Sequence, residues 1–302
     1  MIAQLAEIFF NVITPVFALV LIGYVAGPRL ELNARTLSRF AYFILIPCFV
    51  FNVIATAEFD VAMAGRMVIF IWVVELACAG LGFAVAKILR RSAQMTAAYV
   101  LIATFGNVGN FGLPLIEFRL GSEGLLPATI YFLSIVVIAF VIGVGAASWT
   151  NGGSLAAMTA VLKTPALIAI VPAVLVNGLN ITPPLLVSRT TGLLAAAMVP
   201  TMLVALGVQL SEVRQIRLSR DVWIASGIRL LGGAALGLLL VIPFGLSGVA
   251  RGAGIFQAAM PTAVLASIIA LEHDLLPDFV TTAVLFSTIA SVVTLTLLLA
   301  FV

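Results

Sequence analysis

Two carboxamides stand four residues ahead of two prolines, Asn110 before Pro114 and Gln257 before Pro261, and each pair lies inside an apolar stretch of membrane length. Proline removes one helical N–H and pushes against the carbonyl four residues back, so the carbonyls of Asn110 and Gln257 lose their helical partners. Irregular backbone at bilayer depth persists only where it faces protein or a watery cavity. Side-chain amides and freed carbonyls can bind a cation or hydrogen-bond a polar solute, and the N-terminus of a half-helix that restarts after a break attracts an anion. Groups of this kind hold and move a solute rather than transform it.

The denser break is GNVGNFGLP, residues 106–114, with three glycines, two asparagines and a proline in nine residues. Such a segment makes poor continuous helix. Its spacing predicts two half-helices with an unwound link, the second starting near Leu115, and the amides of Asn107 and Asn110 turned to the gap. The competing reading is a close-packed crossing in which glycines admit a neighbouring backbone and the asparagines bond it. The second segment, AGIFQAAMPT at residues 253–262, is milder, because Gly252 and Gly254 sit a turn or more before Pro261. Gln257 offers an amide there and Thr262 a hydroxyl. The candidate substrate-binding set is Asn107, Asn110, Phe111, Gly112 and Pro114 from the first segment with Gln257, Met260, Pro261 and Thr262 from the second.

Glu75, mid-span in VIFIWVVELACAGLGF, is the other candidate, for ion coupling. Intramembrane carboxylates are costly and point to function by default. It reads either as a proton or cation carrier or as a neutral acid bonded to a neighbouring helix. Arg229 lies about seven residues into its span and reads as an arginine that snorkels to the interface, in preference to an anion ligand. Glu117 and Arg119 read as an interfacial helix end, and His273, in the turn EHDLLPD, as a solvated loop residue. Cys48 and Cys78 fall inside spans, which supports neither a disulfide framework nor a metal site. No HExxH, nucleophile elbow or P-loop is present. No enzyme, metal or cofactor is expected, apart from a coupling Na+ or H+.

The elements that must position these residues follow from composition. The chain has 302 residues, 63% hydrophobic and 9% charged, with mean hydropathy +1.26. This predicts an all-α integral membrane protein without a sizeable soluble domain. Cutting at charges, Pro/Gly clusters and polar pairs gives ten spans near 6–27, 39–57, 67–88, 96–118, 127–148, 164–180, 190–210, 222–245, 252–271 and 279–301. The N-terminus, MIAQLAEIFF, lacks a secretory signal pattern, and the first helix is expected to be retained. Trp149 and Trp223 fall near span ends, where aromatic residues gather.

Odd-numbered loops hold ten basic residues (Arg29, Arg35, Arg39, Lys87, Arg90, Arg91, Lys163, Arg214, Arg217 and Arg220), whereas even-numbered loops hold Arg66, Arg119, Arg189 and Arg251. The positive-inside rule then puts both termini outside. Basic residues dispersed among short loops do not make a nucleic-acid surface. Prolines keep the same order in both halves: Pro15 with Pro172, Pro47 with Pro200, Pro114 with Pro261. Five spans per half reverse the entry side of the second half, so the expected architecture is an inverted repeat, residues 1–150 and 163–302. Inverted repeats with helices broken at matching positions mark the midplane site of a secondary transporter.

The spacing N-x4-G-x-P at Asn107, Gly112 and Pro114, together with QAAMP at Gln257 to Pro261, resembles the auxin efflux carrier family, which includes the plant PIN exporters and many bacterial carriers. EHDLLPDFVTTAVLF (272–286), RFAYFILIPCFVF (39–51) and KTP (163–165) extend the likeness end to end. The resemblance implies ten helices in two inverted five-helix repeats, with helices 4 and 9 broken and crossed. It implies a scaffold domain of about helices 1, 2, 6 and 7, a transport domain of about helices 3, 4, 5, 8, 9 and 10, and elevator-type alternating access. A small organic anion as substrate and a homodimer are also implied. Only about fifteen residues separate spans 5 and 6, as in compact bacterial members rather than plant PINs. The expected protein is therefore a carboxylate carrier of the cell inner membrane, in contact with lipid and without nucleic-acid partners. A passive channel or a receptor on the same fold is the rival class.

Overall fold

The structure, a computed structural model, describes residues 6–7, 9–57, 60–151, 164–212 and 217–302, without the side chains of 139–151 and Glu272. Lys163 and Arg214 of the charge count and the Trp149 side chain lie outside the described residues.

The described chain is all-helical and contains no strand. Its helices are α1 Phe9–Arg29, α2 Ala34–Thr56 and α3 Val61–Ile88, then α4 Ala93–Thr104, α5 Leu113–Leu120, α6 Leu125–Asn151, α7 Pro165–Gly178 and α8 Leu185–Ser211. They continue with α9 Arg220–Leu240, α10 Gly248–Ala258, α11 Val264–Glu272 and α12 Pro277–Phe301. Six of the described helices (α1, α2, α3, α8, α9 and α12) are long and apolar enough to cross a bilayer. Apolar side chains such as Leu76, Leu186, Leu193 and Leu239 are exposed along them, the surface expected of a chain solvated by lipid.

Polar residues at the short connections start and stop these helices. Asn33, Ser92 and Ser219 each accept a backbone N–H three residues on, from Thr36, Met95 and Val222, which satisfies one orphan donor of the first turn. At the C-terminal ends of α1, α3 and α7, Leu32, Arg91 and Ile181 donate to carbonyls five residues back. The residues before them, Glu31, Arg90 and Asn180, take left-handed backbone at φ 54, 54 and 51°. This closure satisfies the last carbonyls, and here it uses no glycine.

Three of the four π-helical turns among the described residues solve a proline problem. They span Phe9–Ile13, Ala41–Leu45 and Val108–Gly112, and each ends two residues before a proline: Pro15, Pro47 and Pro114. The carbonyl that each ring would strike belongs to Asn11, Phe43 or Asn110, the middle residue of the turn, and the wider turn moves it aside. Pro172 and Pro200 are instead carried inside α-helix.

The chain forms two compact units. The first takes Met1–Val16, Gly65–Tyr131 and Glu212–Val302. Its core includes Phe70, Ile71, Tyr99, Ile102, Phe105, Phe111 and Phe256, all fully buried. The second takes Phe17–Ala64 and Phe132–Ser211. In it α1 and α8 cross at backbone contact: a Cβ on Gly23 would overlap the Val204 carbonyl, and one on Gly207 the Val20 carbonyl. Asn177 of α7 donates its amide to the Ala57 carbonyl at 2.7 Å, beyond the end of α2.

Candidate functional site

The first unit contains both broken segments. α4 ends at Thr104, residues 105–107 are unwound, and helix resumes in the π turn Val108–Gly112 that leads into α5. The start expected near Leu115 is corrected: the break precedes Val108, and Pro114 lies about 9 Å further along at the helical rise. The π turn absorbs the proline, so the chain unwinds instead at Gly106 and Asn107. The second segment unwinds between Ala258 and Val264, with Pro261 and Thr262 in the link.

The two links pair through their backbones. Asn107 donates its N–H to the Pro261 carbonyl at 2.6 Å, and Ala263 donates to the Phe105 carbonyl at 2.7 Å. Gly106 and Thr262 face each other across this antiparallel bridge. Thr262 donates its backbone N–H to Ser287 Oγ at 3.1 Å and its hydroxyl to the Ile102 carbonyl at 3.3 Å. Asn107, Pro261 and Thr262 are therefore brought together from positions more than 150 residues apart in the chain.

The candidate side chains divide by what remains open on them. Asn107 is 4% exposed, and its amide nitrogen is buried without a partner. Gln257, fully buried, donates to the Val108 carbonyl at 3.2 Å and the Ala128 carbonyl at 3.4 Å. Those two acceptors fix which end of the amide is nitrogen and leave Oε1 buried and unbonded. Oε1 rests on Gly112, where any Cβ would collide with it. Gln257 thus straps the second break to the first, while Gly112 permits the approach. The Met260 and Pro261 carbonyls both accept hydrogen bonds. Phe111 and Pro114 are buried, and Asn110 is partly exposed in the middle of the π turn. The Thr129 hydroxyl, one residue after Ala128, is also buried without a partner. Nothing in its local sequence marked it.

Glu75 and Arg229 meet. Arg229 Nη1 lies 3.4 Å from Glu75 Oε2, with the side chains 0% and 1% exposed, and Tyr131 donates its hydroxyl to Glu75 Oε1 at 2.8 Å. The snorkelling expected of Arg229 is overturned. The fourth π turn, Ile228–Gly232, contains this residue, and its guanidinium bonds the carbonyls of Ala103, Thr104, Ala258 and Met260 at 2.7–3.1 Å. A signal for this existed in the sequence. An acid and a base at mid-span, each costly alone, are cheapest when paired. Of the remaining candidates, His273 lies in the turn after α11, and Trp223 is exposed and packs edge-on against Phe286.

At this crossing, half-helices begin at Val108 and Val264, with N–H groups not committed to helix. A buried amide donor stands beside the first of them. The arrangement can hold an anionic group by hydrogen bonds and helix-end dipoles, and no nucleophile with an activating base lies among these residues.

Residues 8–160 and 154–299 match the family described as membrane transport protein. The chain is 29% identical over 289 residues to an uncharacterized transporter of Methanothermobacter thermautotrophicus, an alignment covering 93% of this chain and 94% of that protein.

Proposed function

This chain belongs to the membrane transport protein family, that of the auxin efflux carriers its motifs resemble, and on that premise we propose that it is a secondary active carrier for a small carboxylate. It is a multi-pass membrane protein of a transporter family. The observation that carries the carboxylate reading is the Asn107 amide nitrogen, buried without an acceptor beside the start of a half-helix. A donor left so costs about 1–3 kcal/mol, and a carboxylate drawn to the helix end would satisfy it. Asn110, also in the first turn, and the half-helix start at Val264 would complete the cradle.

In this reading the first unit is the transport domain, the second is the scaffold, and the site moves across the bilayer by an elevator-type displacement. Part of the partition supports it, since both breaks fall in the first unit and helices α2, α7 and α8 in the second; α1 divides at Val16, and α6, expected with the transport domain, divides at Tyr131 with most of its length in the second unit. The two halves would be inverted five-span repeats, with both termini outside the inner membrane, and two copies would pair as a homodimer. Reconstitution in liposomes tests the carrier reading. A carrier loaded with unlabelled malonate or malate accumulates labelled substrate by saturable counterflow, whereas a pore or a receptor shows no trans-stimulation.

A further inference from the structure

Carriers with broken helices place a coupling cation against the C-terminal ends of the half-helices, where carbonyl oxygens and the negative ends of the helix dipoles converge. In this chain those oxygens are occupied. Arg229 Nη1 donates to the Ala103 and Thr104 carbonyls at 2.9 and 3.1 Å, at the end of α4. Nη2 donates to Ala258 at 2.7 Å and Nε to Met260 at 2.8 Å, at the end of α10. With Glu75 Oε2 at 3.4 Å from Nη1, five acceptor oxygens surround the guanidinium, three of them sharing the two N–H groups of Nη1. The space is filled as well. A Cβ on Gly106 would stand 2.6 Å from Nη2, and one on Gly233 would overlap the Ala258 carbonyl.

A hydrated sodium ion would have to shed its water and find the same carbonyls, each of which already accepts a guanidinium N–H, beside a positive charge that cannot dissociate and repels it. The donor set at the crossing therefore does not fit an added inorganic cation. We propose that Arg229 is a tethered counter-cation that holds the two broken helices together, with Glu75 as its fixed counter-ion, and that substrate binding needs no sodium. The statement about substrate rests on the carrier reading above; the statement about the cation does not.

The test uses the detergent-solubilised full-length chain without substrate. Thermal unfolding of the wild type is measured in sodium, potassium and choline chloride at equal ionic strength. The expected midpoints agree within about 1 °C; a saturable rise of more than about 3 °C specific to sodium shows a ligand of the folded state and overturns the proposal. Arg229→Ala is expected to melt lower and to recover at least half of the loss with millimolar guanidinium or methylguanidinium, which refills the vacated oxygens. A variant that folds and shows no such recovery also overturns it. Should Arg229→Ala fail to fold, Arg229→Lys, which keeps the charge and loses the fork, is expected to fold, to melt below the wild type and to show no sodium-specific rise; a sodium-specific rise in it overturns the proposal. Failed counterflow would remove the carrier reading and leave these midpoints standing, and a sodium-specific rise would do the reverse.

Discussion

Asn107 donates its backbone N–H to the carbonyl of Pro261 at 2.6 Å, so the residue that positions the candidate ligand donor is itself held by the opposite break. Proline has no N–H to give at that point, and its carbonyl supplies the acceptor. The Asn107 side-chain amide is consequently placed by backbone pairing and packing, and not by a hydrogen bond from its own nitrogen. Asn107→Ala should leave that pairing intact and cost the empty protein little, since it deletes a donor that has no partner. A hydrogen bond to a charged group is worth about 1.5–3 kcal/mol, so carboxylate affinity should fall roughly 10- to 150-fold. Calorimetric titration of the solubilised variant reads this directly. Undiminished affinity with an unchanged melting midpoint would take Asn107 out of the site.

Gly112 and Gln257 make a second, tighter relationship. The colliding atom is the end of a side chain, so Gly112→Ala can fold only if Gln257 swings away from the carbonyls of Val108 and Ala128. Overpacking of this kind costs about 1–3 kcal/mol. Gln257→Ala removes the obstacle, so adding Gly112→Ala to it should cost less than adding it to the wild type, with a coupling of at least about 0.5 kcal/mol. A double-mutant cycle on thermal midpoints measures this. Additive losses would mean that Gln257 already moves freely.

Composition and proline order made the helical segments and both breaks legible in the sequence, because spans and interruptions are properties of local residue types. The position of the first break was not legible. Pro114 looked like its cause, yet a π turn accommodates the proline and the chain unwinds at Gly106 and Asn107. Arg229 was missed for a different reason. Counting residues from the end of a span gives depth along the helix but not the face, and the face decides between snorkelling and burial. The sites where no Cβ fits, Gly106 and Gly233, were visible as glycines, but only packing shows that a guanidinium and a carbonyl fill the space. The helix closures at Glu31 and Arg90 were hidden because the usual glycine is absent.

Glu75 makes two interactions, with Tyr131 and Arg229, whose loss should differ in size. Tyr131→Phe leaves Oε1 without its donor and should cost about 1–3 kcal/mol. Glu75→Gln strips the buried guanidinium of its counter-charge, a loss of about 3–5 kcal/mol for broken buried pairs. If Glu75 is a fixed counter-ion, the pH profile of counterflow should keep its shape in Glu75→Gln while the melting midpoint falls. A flattened profile at retained transport would instead give Glu75 a coupling proton to carry.

In the second unit, the crossing of α1 and α8 makes a prediction that separates stability from binding. A Cβ on Gly23 would overlap the backbone carbonyl of Val204, and one on Gly207 that of Val20. No side chain can swing away there, so the helices themselves must part, and the neighbouring approach of Val208 to Gly27 is disturbed with them. Gly23→Ala should therefore destabilise by about 1–3 kcal/mol as an overpacked contact, even though alanine is the better helix former by about 1 kcal/mol. None of the candidate ligand groups lies in this unit, so carboxylate affinity measured by titration should stay within about twofold of wild type, less than 0.5 kcal/mol. Transport should suffer more than binding if this unit is the scaffold against which the site moves. A variant that melts normally would show that the crossing tolerates separation, and one that loses affinity together with stability would tie the second unit to the binding site itself.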